Sequence, residues 1–271
     1  MNRTAERFFA RDSAIWRVDR EMALLLGGGR ALLMQIAHPK IAAGVADHSR
    51  FLTDPLGRLK QTMETMWSIV FDDLPRARAS LERLEEVHKR VQGQVRDAGA
   101  PSRGAAYSAQ DPDLLLWVHA TLVDSALVVY DRFVKPLALE ERRRYYEDSK
   151  KLGVLMGVLE SKIPATLEAF QEYMTATVES DAIAVGAAAR ALARAILSPP
   201  PWFLKTFAPV NVLITTGLLP PKLRRAYDLP WNGRREKVLR LVAGSTRAAL
   251  PFVPAVIRVV PHARAAEARS A

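Results

Sequence analysis

Five histidines and no cysteine set the terms on which this 271-residue chain can hold a metal. The missing thiols exclude disulfides, thiolate haem ligation, iron-sulfur clusters and Cys-type zinc sites together, so any metal must rest on imidazole or carboxylate. Four histidines, His38, His48, His88 and His119, fall in largely apolar helical stretches. The fifth, His262, lies in the basic, Ala-rich end and is set aside. Between His48 and His88 runs a polar row, Arg58, Gln61, Thr62 and Thr65, at steps of three and four. On a helix these residues share one face, while Leu59, Met63, Met66 and Val70 share another. Polar groups in such a region are unfavourable unless water or a site satisfies them.

His88 has the most distinctive setting. Leu81, Leu84, His88, Val91 and Val95 recur at intervals of three and four, which centres His88 on the apolar face of a helix expected from about Pro75 to Val95. Glu85, Glu86, Lys89 and Arg90 fall off that stripe. On periodicity alone, a lone histidine on an apolar face is more often a hydrogen-bonded core residue than a ligand. His119 competes with it, on a helix that is apolar almost all round and also carries Asp124. Such a helix is a central one, and both groups then need partners. His38 and His48 sit beside turn signals, where capping is as good an account as pocket lining. The bland reading of Arg58 is a surface pair with Asp54 one turn earlier, worth about 0.5 kcal/mol. No 2-His-1-carboxylate spacing is present.

The elements that would position these residues are helices. One is expected over residues 13 to 26, ended by Gly27-Gly28-Gly29, which reads as a flexible corner because no strand or GK[ST] pattern accompanies it. Short helices over 30 to 38 and 40 to 52 follow. Asp54-Pro55 and Asp111-Pro112 each read as an N-cap followed by proline at the first helical position. They start helices reaching about Phe71 and Phe133. Further helices fall over 139 to 157, 164 to 180, 181 to 197, 202 to 219 and 236 to 251, with the clearest break at Ser198-Pro199-Pro200-Pro201. No stretch alternates strictly enough for a sheet. The expected architecture is all-α, a single multi-helix domain over residues 1–271 around a central buried helix group. Its core spans about 10–255, and 261–271 form a frayed basic tail.

Composition is that of a globular chain, with 49% hydrophobic and 25% charged residues. From Lys222 onward there are eleven Lys and Arg against three acidic residues, which is +8 of the formal +10. That end could contact an anionic membrane peripherally or an acidic partner. No nucleic-acid recognition motif accompanies the charge, so no nucleic-acid partner is expected. The charged N-terminus has no signal-peptide core, and the apolar stretches fall short of the ~20 residues of a span, so a cytoplasmic location is expected.

The order and spacing of several fragments resemble the MpaB-type oxygenase and latex clearing protein family. They are Gly29-Arg30, Ala37-His38-Pro39, His48-Ser49-Arg50-Phe51, Asp54-Pro55, Arg58 with Thr62, Val87-His88 before Val91 and Gly93, Tyr107-Ser108-Ala109, Asp111-Pro112, Trp117-Val118-His119-Ala120 and Leu219-Pro220-Pro221 before Leu223-Arg224. The resemblance covers roughly residues 10 to 255. It implies haem b in a globin-like slot between helices, with His88 as the axial iron ligand and His119 as the competing assignment. It also implies dioxygen and an apolar, isoprenoid or lipid-like substrate. Arg58 and Thr62 match the distal Arg and Thr of the family, where they would supply a fixed charge and a hydroxyl donor. Gln61 stands where the rubber-cleaving branch has Lys, so a lysine on iron is not expected. His38 and His48 would line the pocket or contact propionates. A competing class is a helical protein that binds haem or a hydrophobic ligand without turning it over; it would show no oxygen consumption with lipids and unchanged binding in Arg58→Ala.

Overall fold

The computed structural model describes residues 6–49, 54–97, 102–198 and 208–269. Arg50-Phe51, part of the Gly99 to Gly104 loop, the 199–201 proline break and the start of the helix expected from Trp202 lie outside them. The fold is all-α. In chain order the helices are α1 (Ala14–Asp19), α2 (Gly28–Ile36), α3 (Pro39–His48), α4 (Pro55–Phe71), α5 (Leu74–Arg90), α6 (Pro112–Val129), α7 (Leu139–Leu155) and α8 (Leu167–Glu179). They continue as α9 (Ala187–Leu197), α10 (Ala208–Leu218), α11 (Pro221–Ala226), α12 (Gly233–Ala249), α13 (Ala255–Arg258) and α14 (Pro261–Ala268).

Helix α6 is the central element, as its all-round apolar sequence requires. Asp111 caps it by accepting from the Asp113 amide at 3.0 Å, ten of its eighteen residues are buried, and it ends in a π turn over Tyr130–Val134. By length and hydropathy the 112–134 helix could cross a membrane, yet 61% of its apolar window is buried inside the protein. A core helix passes the same test. Helix α2 packs along it, and the polar groups between them are satisfied one by one. Trp117 Nε1 donates to the Met34 carbonyl at 3.1 Å, Gln35 Nε2 to Thr121 Oγ1 at 3.1 Å, and Tyr227 Oη to the Leu33 carbonyl at 2.7 Å. Arg30 is buried and donates to the Leu218 carbonyl, Ser125 Oγ and Asp124 Oδ2 at 2.8, 2.7 and 2.5 Å. Asp124 thus finds the partner its burial demands.

Four sequence expectations are corrected. The glycine run is a site of close packing, because a Cβ on Gly27 would lie 2.8 Å from Val129 Cγ2 and one on Gly29 only 2.2 Å from Thr215 Oγ1. Helical structure continues through it, as a 3-10 segment over Met22–Gly27 leading into α2. Helix α5 ends at Arg90, short of Val95. Residues Gln92–Gln94 instead pair antiparallel with Ala106–Ser108, β1 with β2, Gly93 opposite Tyr107. A Cβ at Gly93 would meet Tyr107 Oη at 2.6 Å, so the glycine that stops the helix also admits the tyrosine. Val95, Tyr107 and Ala43 then form a small cluster of their own. Finally, 261–271 is not a frayed end over its described part: α14 buries Ala263 and Ala266.

Candidate functional site

Helices α4 and α5 form a hairpin turned by Asp72 and Asp73. Asp54 caps α4 by accepting from the Gly57 amide at 2.9 Å, and Asp73 caps α5 through the Arg76 amide at 3.2 Å. The two helices pack together through Ala77 and a hydrogen bond from Ser80 Oγ to Ser68 Oγ at 2.9 Å. An antiparallel hairpin brings the start of α4 to the end of α5. Arg58 and His88, thirty positions apart, are thereby set against one another.

His88 is half-buried, and its pKa is lowered by burial first and then by the positive charge of Arg58. The Arg58 guanidinium is itself pushed down by burial, although much of the side chain's surface remains exposed. Asp54, the expected surface partner of Arg58, is engaged in the cap instead. Neither ring nitrogen of His88 has a hydrogen-bond partner among the described residues. Both influences act against protonation, and the unprotonated imidazole is the form in which histidine binds a metal.

On the outer side of α5 lies a half-open cleft of ≈ 370 Å³ between α5, the start of α6 and the end of α7. Leu81, Leu84, Leu115, Leu155 and Met156 make its apolar wall, and His88, Arg78, Glu82, Glu85 and Gln110 bring polar groups to it. The sequence reading had Leu81 and Leu84 in the stripe but missed Leu155 and Met156. The signal available for them is Gly157, which adopts φ +94 just past the end of α7. A left-handed glycine there stops the helix and turns its last residues toward a neighbour.

The remaining expected residues fall elsewhere. Thr62 Oγ1 donates to the Arg58 carbonyl at 2.9 Å within its own helix. Thr65 does the same to Gln61, whose side chain is exposed. The expected hydroxyl donor of Thr62 is therefore turned back on the helix, leaving its lone pair available to accept. His119 is fully buried, donates to the Ser149 carbonyl and has its pKa pushed down to about 4, chiefly by burial. Its ring lies so close to α7 that a Cβ on Gly153 would stand 2.9 Å from Nε2. His48 is exposed, with Nε2 3.1 Å from the Gln92 carbonyl and its ring edge-on to Tyr107. It ties α3 to β1. His38 stands at the N-cap of α3 but makes no side-chain cap bond, and its Nδ1 is buried without a partner. Its pKa is lowered by burial and by Lys40. His262, set aside above, bridges Asp72 and Glu64. Among the described residues no three His, Asp or Glu side chains gather as a metal site would require.

An all-helical domain with a neutral, unpartnered histidine beside an apolar cleft is the class of protein this geometry defines. Residues 16–248 match the family described as the catalytic domain of ER-bound oxygenase mpaB/B' and rubber oxygenase. The chain belongs to that oxygenase family. It is 28% identical over 230 residues to the uncharacterized protein Mb2261 of Mycobacterium bovis and equally to the uncharacterized protein Rv2237 of Mycobacterium tuberculosis; each alignment covers 82% of this chain and 87% of the relative. No solved structure matches.

Proposed function

We propose that this protein is a haem b-dependent oxygenase in which His88 would hold the iron and the neighbouring cleft would receive an apolar, isoprenoid or lipid-like substrate. The observation that carries the reading is His88 itself: neutral, half-buried, without a hydrogen-bond partner among the described residues, and set against Arg58. Haem needs a nitrogen donor and a cation for its carboxylates, and His88 and Arg58 would offer one of each, with the Leu81-Leu84-Leu115-Met156 wall left to the substrate. When bound, haem supplies the iron at which dioxygen is activated.

The chain's own residues do the rest. His88 offers a lone pair that burial and Arg58 keep free of a proton. Arg58, in a setting that weakens its hydration, gives a fixed positive charge for a porphyrin carboxylate or for negative charge that builds in the pocket. Thr62 accepts rather than donates while its proton is held by the Arg58 carbonyl. Gln61, uncharged and exposed, would offer no amine to compete for the iron. The cleft's leucines and Met156 exclude water and hold hydrocarbon without directional bonds.

The test is an absorption spectrum of the protein expressed with haem supply, beside His88→Ala and His119→Ala. A Soret band near stoichiometry that is lost or shifted only in His88→Ala is the expected result. Loss only in His119→Ala would move the ligand to α6, and no band in the wild type would remove haem from the reading. Oxygen uptake with unsaturated apolar compounds then separates an oxygenase from a carrier.

A further inference from the structure

We propose that the outer face of α12 and the segment at 251–257 that follows it form a docking surface for an anionic lipid bilayer. The stretch Pro251-Phe252-Val253-Pro254-Ala255-Val256-Ile257 carries no charge. Phe252 is 87% exposed, Val256 62% and Ile257 64%. Large apolar side chains standing this far into water, three within six positions rather than scattered, mark a contact surface. Helix α12 leads into the segment and adds Leu241, 70% exposed, and Val238 on its outward stripe, opposite the buried Leu239 and Ala243.

The segment is held out rather than loose. Leu250 before it and Val259 and Val260 after it are buried. Arg258 grips the buried Glu21 with three bonds, Nε to Oε2 at 2.9 Å and to Oε1 at 3.2 Å, and Nη2 to Oε1 at 2.8 Å. Glu21 also bridges Val259 through the backbone. Two prolines stiffen the turn between these anchors. Pinned at both ends, the segment cannot bury Phe252 by folding back.

Charge decides the occupant. Arg234, Lys237, Arg240 and Arg247 are exposed on α12 and enter no ion pair among the described residues. Glu236, the acid of that helix, is taken up by Arg132 at 2.5 Å. Helix geometry puts Arg234 and Lys237 on or beside the Val238-Leu241 stripe, where long cationic side chains reach phosphate while their stems lie on apolar surface; Arg240 and Arg247 lie more than a third of a turn from its centre. An uncharged apolar protrusion beside unpaired cations matches an anionic lipid surface, which offers negative headgroups above hydrocarbon and asks for no directional fit. The ≈ 380 Å³ cleft beneath the segment is not the seat of this binding. Its Arg17, Arg20 and Arg258 already face Glu141, Glu267 and Glu21.

The experiment is co-sedimentation of the full chain with large phosphatidylcholine vesicles, with and without phosphatidylglycerol, at rising salt. The proposal expects binding that needs the anionic lipid and weakens with salt. Phe252→Asp with Ile257→Asp should lower it about tenfold or more, and Arg234→Ala with Lys237→Ala about tenfold. Phe252→Trp should shift its emission to the blue on vesicles alone. All these positions are exposed, and matching thermal melts establish that the variants fold. Absent binding to anionic vesicles overturns the proposal. Binding indifferent to the Phe252/Ile257 change overturns the insertion. A concentration-dependent dimer abolished by that same change would assign the surface to a second copy. Each result is independent of haem, so failure here leaves the His88 reading standing.

Discussion

The core around α6 and the Arg58-His88 end of the α4-α5 hairpin both hold a histidine and an arginine among apolar neighbours, and they differ in how these are partnered. In the core, Arg30 has three acceptors, Asp124 has Arg30, His119 has the Ser149 carbonyl and Trp117 the Met34 carbonyl. In the hairpin, His88 has no partner among the described residues, Gln61 is exposed and Arg58 faces His88 across the helix pair. Buried polar groups that are satisfied build a unique core, whereas those left open are available to a ligand. Residue type does not separate the two regions: each offers a histidine and an arginine.

The comparison is tested most severely at Asp124. Asp124→Ala leaves Arg30 buried with its charge uncompensated and should cost about 3 kcal/mol or more in urea unfolding. Arg30→Met with Asp124→Leu removes both charges and should recover most of that loss. A small effect from the single change would mean that Ser125 and the Leu218 carbonyl suffice for Arg30.

His119 and His88 give the next contrast. With its pKa at about 4, His119 stays neutral in the folded protein while the unfolded chain takes up a proton near pH 6.5. Its contribution is therefore intact above pH 6.5 and falls as pH drops toward 4, by about 3 kcal/mol in all. His119→Gln keeps a donor for Ser149 and should flatten that part of the stability-pH curve. Removing His88, by contrast, should change stability by less than about 1 kcal/mol. A His88→Ala variant that unfolded as readily as a core truncation would return His88 to the structural class.

Much of this division was legible in the chain. Asp54-Pro55 and Asp111-Pro112 marked two helix starts through cap chemistry that acts within four residues, and the apolar circumference of α6 announced the centre of the fold. Arg58 and His88 were singled out by spacing and resemblance. What the sequence hid depends on distant partners. Gly27 and Gly29 read as a corner because Val129 and Thr215, which press on them, lie about 100 and 190 positions away. Val91 and Val95 continued the helical period of α5 by coincidence, and only Tyr107 shows that Gly93 belongs to a strand pair. His262 was set aside for its basic neighbours, though its partners are on α4.

His262 yields the smallest effect and the clearest sign. Its Nδ1 lies 3.0 Å from Asp72 Oδ2 and its Nε2 2.9 Å from Glu64 Oε2, with the Trp67 ring alongside. The hydrogen bond to Asp72 raises its pKa above the ordinary value, burial opposes this, and Glu64 adds to the rise. A raised histidine stabilises the fold below its unfolded pKa, and that contribution is lost as pH climbs through the folded one. The slope is opposite to that of His119. Arg269 and Arg76 also face Asp72 and keep part of its charge balanced when His262 is neutral. With Glu64 half exposed, the net contribution should not exceed about 1 kcal/mol. His262→Gln should remove a loss of stability on the alkaline side and leave the acid side to His119. Because α14 packs on α4, the helix that carries Arg58, the protection factors of α14 amides, corrected for the intrinsic pH dependence of exchange, should fall with rising pH in the wild type only. Protection that falls equally in His262→Gln would show that α14 is held by Ala263, Ala266 and the Glu267 contacts to Trp16 and Arg20 without help from His262.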